Sequence, residues 1–260
     1  MRTAVIAITP HGITVGKKIQ EYIGCDLYIP EVIKSEMAAD FISYDTSTKE
    51  LVTKIWKKYR TLIFIMAMGL VVRIIRDHIE DKHKDPAVVV VDEMGRYAVS
   101  VLSGHEGGAN RVAEKVALIC SGDFVITTGS EATRTLILGM GCCRGTPVDE
   151  LEKAMMEGLR LTGRRLSEVR VIASVEDKRD EKGLCQLSER VNIPLKFIPR
   201  TLIMAVEDNF PKSELVKKTL GIYSVAEPCA MLGGFRCQMI LPKRKMKGIT
   251  IAIAEERFLS

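Results

Sequence analysis

Short runs of β-branched apolar residues alternate with longer stretches of helical periodicity, and this alternation constrains the fold more than any other feature of the chain. The run at 87–91, Ala-Val-Val-Val-Val, is apolar at every position, as expected of a strand in the middle of a sheet that helices cover on both faces. Residues 50–59 place Leu51 and Ile55 on one face of a helix. The alternation predicts an α/β fold with two α/β domains, each a mostly parallel or mixed sheet covered by helices.

The predicted domains meet near a short stretch at 129–135 and cover residues 1–133 and 134–260. Within the first domain, 87–91 and 97–102 are predicted to form a hairpin around Gly95, and a helix is predicted at 109–119. The second domain is predicted to begin with a strand at 135–139 and to end with a hairpin, 237–241 and 248–254. No internal repeat or low-complexity linker interrupts either domain.

Composition excludes several classes of protein. The hydrophobic share of 47% and charged share of 27% are typical of a globular protein. The most apolar stretch, 61–75, contains Arg73 and is too short to span a membrane. Seven cysteines without repeated spacing favour reduced thiols and a cytoplasmic location. The net charge of +5 is concentrated in residues 134–260 and favours an anionic partner, but the aromatic content of 5% provides few stacking platforms for a nucleic acid.

The segment 103–110, Ser-Gly-His-Glu-Gly-Gly-Ala-Asn, is the leading candidate for an active-site loop between a strand and a helix. Its glycines let a ligand approach the main chain. The following helix N-terminus suits a carboxylate or a developing oxyanion, and His105 can transfer protons near neutral pH. The alternative is a tight turn in which the histidine caps the helix, and the sequence leaves both interpretations open.

Further polar segments have weaker patterns. Asp92 and Glu93 follow a buried strand, where acids face the ligand crevice of open α/β sheets, but a plain hairpin turn explains them equally well. Residues 139–146 contain three glycines and Arg144 and can bind a phosphate or carboxylate, although their spacing misses the dinucleotide-binding pattern. His78 and His83 lack a third ligand, so no metal site is predicted. The charged segments 177–181, 226–228 and 243–245 are interpreted as surface by default, and the basic run 243–245 can alternatively bind acidic groups of a ligand.

Together these segments resemble the CbiG family of cobalamin biosynthesis, the cobalt-precorrin-5A hydrolases. The resemblance rests on Gly69 and Arg73, Lys82, 85–93 with Gly95, 103–105 with 107–110, 125–128, Gly139 with 141–142 and 144–146, Lys178, Glu181, Leu184, 213–214, 225–228, and Pro242 with Lys243. The chain departs from the family pattern in lacking most of a middle segment of several dozen residues. It also carries Glu106 where the family commonly has an apolar residue.

The resemblance implies a water-dependent carbon–carbon cleavage on a cobalt-bearing macrocycle, in which a ring A δ-lactone opens and acetaldehyde leaves. The resemblance implies no cofactor, because the cobalt arrives in the substrate. His105 is expected to carry the proton, loop N–H groups and Asn110 to donate to the oxyanion, and Asp92 or Glu93 to orient His105 or take a second proton.

The resemblance also implies a set of substrate-binding residues, in which the cations hold peripheral carboxylates. They are Ser103, Gly104, Gly107, Gly108, Arg73, Lys82, Gly141, Arg144, Lys178, Glu181, Glu227 and Lys243. The expected partner is the corrinoid substrate, with neither a nucleic acid nor a membrane. A homodimer and transient contacts with neighbouring pathway enzymes stay open, and a non-catalytic corrinoid carrier or scaffold is the alternative function.

Overall fold

The computed structural model describes residues 2–33 and 40–257, which belong to two compact units, Met1–Thr128 and Gly129–Ser260. Each unit is a mixed, mostly parallel sheet covered by helices, so the predicted fold class is confirmed. No helix among the described residues is long and apolar enough to cross a membrane.

Unit 1 contains a sheet of seven strands among its described residues. The strands are β1 (Thr3–Ala7), β2 (Asp26–Pro30), β3 (Ile42–Tyr44), β4 (Thr61–Ile65), β5 (Ala87–Val91), β6 (Tyr97–Leu102) and β7 (Asp123–Val125). The helices are α1 (Pro10–Ile23), α2 (Thr48–Ile55), α3 (Met68–Ile75) and α4 (Ala109–Cys120). Sequence reasoning missed β3, an edge strand of only three residues.

The side chains of β1, β4 and β5 point alternately to the two faces of this sheet, and each face has its own core. Val5, Ile63 and Val89 face α1 and α4 in one cluster. Phe64 and Val88 face α2 and α3 in the other. Because both faces are covered, these central strands are apolar at every position, as the run at 87–91 predicts.

Strand direction decides which loops of unit 1 meet. The strands follow the order β3-β2-β1-β4-β5-β6-β7, in which β1 to β5 are parallel and β6 is antiparallel to β5. Val88 pairs with Leu102, and Val91 pairs with Ala98. The loop after β6 therefore lies at the edge where β4 and β5 begin, here called the amino edge. The segment after β5 lies at the opposite edge, here called the carboxyl edge.

Unit 2 contains a sheet of five strands among its described residues. The strands are β8 (Leu136–Cys142), β9 (Val169–Val175), β10 (Leu195–Ile198), β11 (Cys237–Met246) and β12 (Ile249–Glu256), and they lie in the order β10-β9-β8-β12-β11. The helices are α5 (Val148–Thr162), α6 (Lys182–Val191), α7 (Arg200–Val206), α8 (Glu214–Leu220) and α9 (Ala226–Leu232). β8, β9 and β10 are parallel, whereas β11 and β12 form the predicted antiparallel hairpin.

Gly139 lets α9 pack directly against β8, and Gly141 lets the side chain of Thr250 on β12 lie against the same strand. A Cβ atom at Gly139 would overlap the carbonyl oxygen of Ala226, and one at Gly141 would lie 2.6 Å from Thr250 Oγ1. Both glycines lie inside β8, which extends to Cys142 rather than ending at 139. The prediction that Gly141 belongs to a phosphate- or carboxylate-binding turn is therefore wrong, because its role is close packing.

Candidate functional site

The loop of residues 103–108 is fixed to the amino edge of unit 1 through Ser103. This buried residue has a left-handed backbone (φ 55°), and its Oγ donates to the carbonyl of Asp85 at 3.2 Å. Its own carbonyl accepts from the N–H of Ala109 at 3.2 Å. Ser103 thus ties the loop to the residues before β5 and to the first turn of α4, so its role here is structural.

The glycines of the loop permit a backbone too tight for other residues. A Cβ atom at Gly107 would lie 2.5 Å from the Cβ of Ser103, and one at Gly104 would lie 2.7 Å from Asn110 Oδ1. Gly108 has a φ of 84°, in the region that favours glycine. The N–H of Asn110 donates to the carbonyl of Gly104 at 3.1 Å. The first two amides of α4 are therefore used inside the loop rather than offered to an anion.

The side chain of Asn110 is also used inside the fold. It is buried, and its Oδ1 accepts from Ser100 Oγ at 2.8 Å while its Nδ2 donates to Thr128 Oγ1 at 3.1 Å. These bonds join β6 and α4 to the segment after β7. The predicted role of Asn110 as an oxyanion donor is not supported by this geometry, because both ends of the amide have partners within unit 1.

His105 and Glu106 are the exposed side chains of the loop. Glu106 accepts a hydrogen bond from Lys82 Nζ at 2.8 Å. This bond and the charge of Lys82 lower the pKa of the Glu106 carboxyl, and they raise the pKa of the Lys82 ammonium. Glu106 therefore forms a surface ion pair beside His105, and Lys82, predicted to bind substrate, already has a partner.

A polar cleft of about 640 Å³ lies against this loop, entirely within unit 1. Its walls come from three segments at the amino edge: the turn between α2 and β4, the residues before β5, and the loop itself. The lining residues are Trp56, Lys57, Lys58, Tyr59, Arg60, Glu80, His83, Lys84, Asp85, Pro86, Glu106 and Gly107. Gly107, Glu106 and His83 stand out in the sequence, but no local pattern indicates the contribution of 56–60 to the cleft.

Asp92 and Glu93 do not lie near this loop. They follow β5 at the carboxyl edge, and five residues of extended strand, roughly 16 Å, separate them from the amino edge. Asp92 accepts from the N–H of Tyr97 at 2.8 Å and pairs with Arg96 at 2.8 Å, which closes the β5–β6 turn. The prediction that either acid orients His105 is wrong, because the antiparallel β6 carries the histidine to the other edge.

Arg73, predicted to bind substrate, lies exposed on α3 and does not line the cleft. His78 hydrogen-bonds Thr53 Oγ1 at 3.1 Å and stacks on Trp56, with ring centroids 5.5 Å apart. Neither residue therefore contributes a side chain to the cleft.

A second polar cluster lies in unit 2, where β8 and β9 end. Glu181 is buried, accepts from the N–H of Gly145 at 3.0 Å, and pairs with the buried Lys178 at 3.6 Å. Arg144 is exposed and pairs with Asp180 at 2.8 Å. The interpretation of 177–181 as a solvated turn is wrong for Lys178 and Glu181, whose buried pair ties the two strand–helix turns together. Their carboxylate and ammonium groups are directed to each other rather than to solvent.

Glu227 and Lys243 form another buried contact in unit 2. Glu227 begins α9, and its Oε1 accepts from the N–H of Lys243 at 3.2 Å. The ammonium of Lys243 lies 3.8 Å from the carboxylate of Glu227 and donates to the carbonyl of Pro211 at 3.1 Å. The surface interpretation of 226–228 is wrong, because Ala226, Glu227 and Pro228 are all buried.

Comparison with protein families identifies the chain. Residues 50–131 match the family described as cobalamin synthesis G N-terminal, and residues 136–254 match the family described as cobalamin synthesis G C-terminus. The chain belongs to the CbiG family. The N-terminal CbiG match contains the whole 103–108 loop and every segment that lines the cleft.

Two curated relatives are cobalt-precorrin-5A hydrolases. The relative from Priestia megaterium is 24% identical over 352 aligned residues, which cover 96% of this chain and 94% of the relative. The relative from Salmonella typhimurium is 24% identical over 342 residues, which cover 96% of each chain. The alignments are longer than this CbiG chain of 260 residues, and only 132–135 lie between its two family matches.

A solved structure of a cobalamin biosynthesis protein G homolog from Sulfolobus solfataricus is also similar. It is 18% identical to this chain and covers 98% of it, and 97% of that structure is matched, with a TM-score of 0.37.

Proposed function

We propose that this CbiG chain is a cobalt-precorrin-5A hydrolase of cobalamin biosynthesis. The observation that carries the proposal is the match of nearly the whole chain to curated relatives of that name, with both CbiG domains present. The exposed histidine of a loop that borders a polar cleft supports it, since hydrolysis needs a group that moves protons next to a bound substrate.

The reaction consists of two bond-breaking steps. Water adds to the carbonyl of the ring A lactone and the C–O bond breaks, which gives a carboxylate and a hydroxyethyl group. Loss of the hydroxyl proton then forms the C=O bond of acetaldehyde. The carbon–carbon bond to the macrocycle breaks, and the macrocycle receives the electron pair and a proton.

His105 is the proton carrier in this proposal. It is exposed, and the loop that carries it is held by two hydrogen bonds of Ser103. The Ser103 hydroxyl donates to the carbonyl of Asp85, and the Ser103 carbonyl accepts from the N–H of Ala109. A fixed backbone with an accessible imidazole favours proton transfer to and from a bound substrate. Glu106 is the carboxylate beside it, and Lys82 keeps that carboxylate ionised.

The cobalt belongs to the substrate, and we propose no further cofactor. We also place the reaction in the cytoplasm, where the seven cysteines, all free thiols in the structure, would stay reduced. A homodimer and contacts with neighbouring pathway enzymes stay predictions, and light scattering after size-exclusion chromatography would test the first.

The test is to incubate the purified chain with cobalt-precorrin-5A and to measure acetaldehyde with an alcohol dehydrogenase and NADH. Wild-type protein is expected to release one acetaldehyde per substrate consumed. Binding of the corrinoid without any acetaldehyde would reject the hydrolase and favour a non-catalytic carrier or scaffold.

A further inference from the structure

Three cations of the cleft lack a side-chain partner within the part of the chain that the structure describes. Lys58 and Arg60 belong to the turn between α2 and β4, and Lys84 belongs to the segment before β5. All three are exposed, and none forms an ion pair or side-chain hydrogen bond among residues 2–33 and 40–257. By contrast, Lys57 pairs with Glu80 at 3.6 Å.

The acids of the same cleft are already engaged. Asp85 is buried, and its carboxylate accepts from the N–H groups of Glu80 and Asp81 at 3.0 to 3.1 Å. Glu80 pairs with Lys57, and Glu106 pairs with Lys82. The backbone amides do not cancel the charge of Asp85, so three unpaired cations stand against one buried carboxylate and the cleft keeps a net positive charge. A concave surface with a net charge of one sign concentrates ligands of the opposite sign.

We propose that Lys58, Arg60 and Lys84 form a carboxylate-binding subsite at the amino edge of unit 1. This subsite receives peripheral carboxylates of the macrocyclic substrate and holds the ring against the loop of His105. The inference rests on the proposed function for the identity of the ligand. It places the carboxylate contacts in unit 1, whereas Lys178 and Lys243 of unit 2 have their charges committed to buried partners.

The chemistry of the three side chains suits such a ligand. The guanidinium of Arg60 can bind one carboxylate through two parallel hydrogen bonds, and each lysine can bind another as a point charge. The three side chains come from two segments of the cleft wall, so carboxylates at different positions on the ring can be held at once. Several such contacts orient a rigid macrocycle more strictly than one contact would.

The experiment compares K58Q/R60Q/K84Q with wild type in binding of cobyrinic acid, a corrinoid with free carboxylates, and of its fully methylated ester. Trp56 is the only tryptophan of the chain and lines the cleft, so quenching of its fluorescence follows binding, and calorimetry checks the constants. We expect the triple variant to bind the acid about 10- to 100-fold more weakly, with a smaller salt dependence, and the ester to bind weakly to both proteins.

The matched control is K17Q/K18Q/K115Q, which removes the same charge from α1 and α4, away from the cleft. It should bind the acid as wild type does. The variant K58R/R60K/K84R, which keeps the charges, should retain most of the affinity. Equal weakening by the control, or unchanged affinity in K58Q/R60Q/K84Q with its circular dichroism spectrum retained, would overturn the subsite.

Acetaldehyde release separates this inference from the proposed function. If wild type releases acetaldehyde and K58Q/R60Q/K84Q binds cobyrinic acid normally, the hydrolase stands and the subsite is rejected. If wild type binds the acid through these cations but releases no acetaldehyde, the subsite stands and the hydrolase is rejected.

Discussion

Replacing Gly107 with alanine is the sharpest perturbation of the candidate active-site loop. The added methyl group would lie 2.5 Å from the Cβ of Ser103 and 2.9 Å from its carbonyl oxygen, where ordinary contacts need at least about 3.4 Å. Ser103 cannot retreat freely, because its hydroxyl is bonded to Asp85 and its carbonyl to Ala109. The strain must therefore move the loop that carries His105.

The required shift sets the size of the effect. Restoring an ordinary contact needs a displacement of about 1 Å, and overpacking of this kind typically costs about 1–3 kcal/mol of unfolding free energy. A displacement of about 1 Å in groups that position a substrate can lower turnover by about 10²-fold. We therefore expect Gly107→Ala to lose both stability and acetaldehyde release, with the larger relative loss in turnover.

Urea unfolding followed by Trp56 fluorescence gives the stability, and the alcohol dehydrogenase assay gives the turnover. Gly69→Ala is the matched control in the same unit: its Cβ would meet no atom within 4 Å, and its place in α3 favours alanine by about 0.4–1 kcal/mol. A Gly107→Ala protein with wild-type stability and turnover would refute the argument that this glycine fixes the loop.

Three further changes test other parts of the structure. His105→Ala should abolish acetaldehyde release while leaving corrinoid binding largely intact, and an equal loss of binding would instead make the histidine a positioning residue. Lys82→Met should raise the pKa of Glu106, measured by carboxyl NMR titration, because Lys82 lowers this pKa in the wild-type protein. The pair stabilises the fold while Glu106 is ionised and loses its effect as the pH falls through the pKa of Glu106. An unchanged pKa in the variant would contradict the pairing. Gly139→Ala should cost about 1–3 kcal/mol or more in denaturant unfolding because the added methyl group would overlap the backbone of α9, whereas Gly129→Ala, which meets open space, should change stability by less than about 0.5 kcal/mol.

The sequence predicts most of the elements but not which of them meet. Periodicity and turn residues are local, so they locate strands such as 87–91 and the hairpin at 97–102. These local patterns do not predict the short helices α7 and α9, which have seven residues each. In addition, α9 contains Pro228, and its position is determined by close packing against Gly139. Buried charges escape for the same reason, since only the fold places Lys178 beside Glu181.

The candidate site shows more clearly that local sequence patterns do not predict which segments meet. The sequence predicts a site at His105 and its glycines, and it also predicts that 97–102 returns antiparallel to 87–91. That hairpin implies that the loop after β6 lies at the edge where β5 begins, beside residues 83–86, and the parallel pairing of β4 with β5 adds residues 56–60 to this edge. The rule that places ligands at the carboxyl ends of parallel strands drew attention to Asp92 instead. The rule does not apply to a strand that reverses direction.

Strand register also determines which acid can serve His105. Asp92 could reach the amino edge only if β5 and β6 paired in a different register. A change of register by one residue would already turn every side chain of the strand to the opposite face of the sheet. At the amino edge, Asp85 uses its carboxylate to hold two backbone amides and so fixes the cleft wall. Glu80 and Glu106 are the exposed acids of the cleft, and each pairs with a lysine. Glu106, which follows His105 in the chain, is therefore a carboxylate that the sheet leaves free of backbone amides and that Lys82 holds instead.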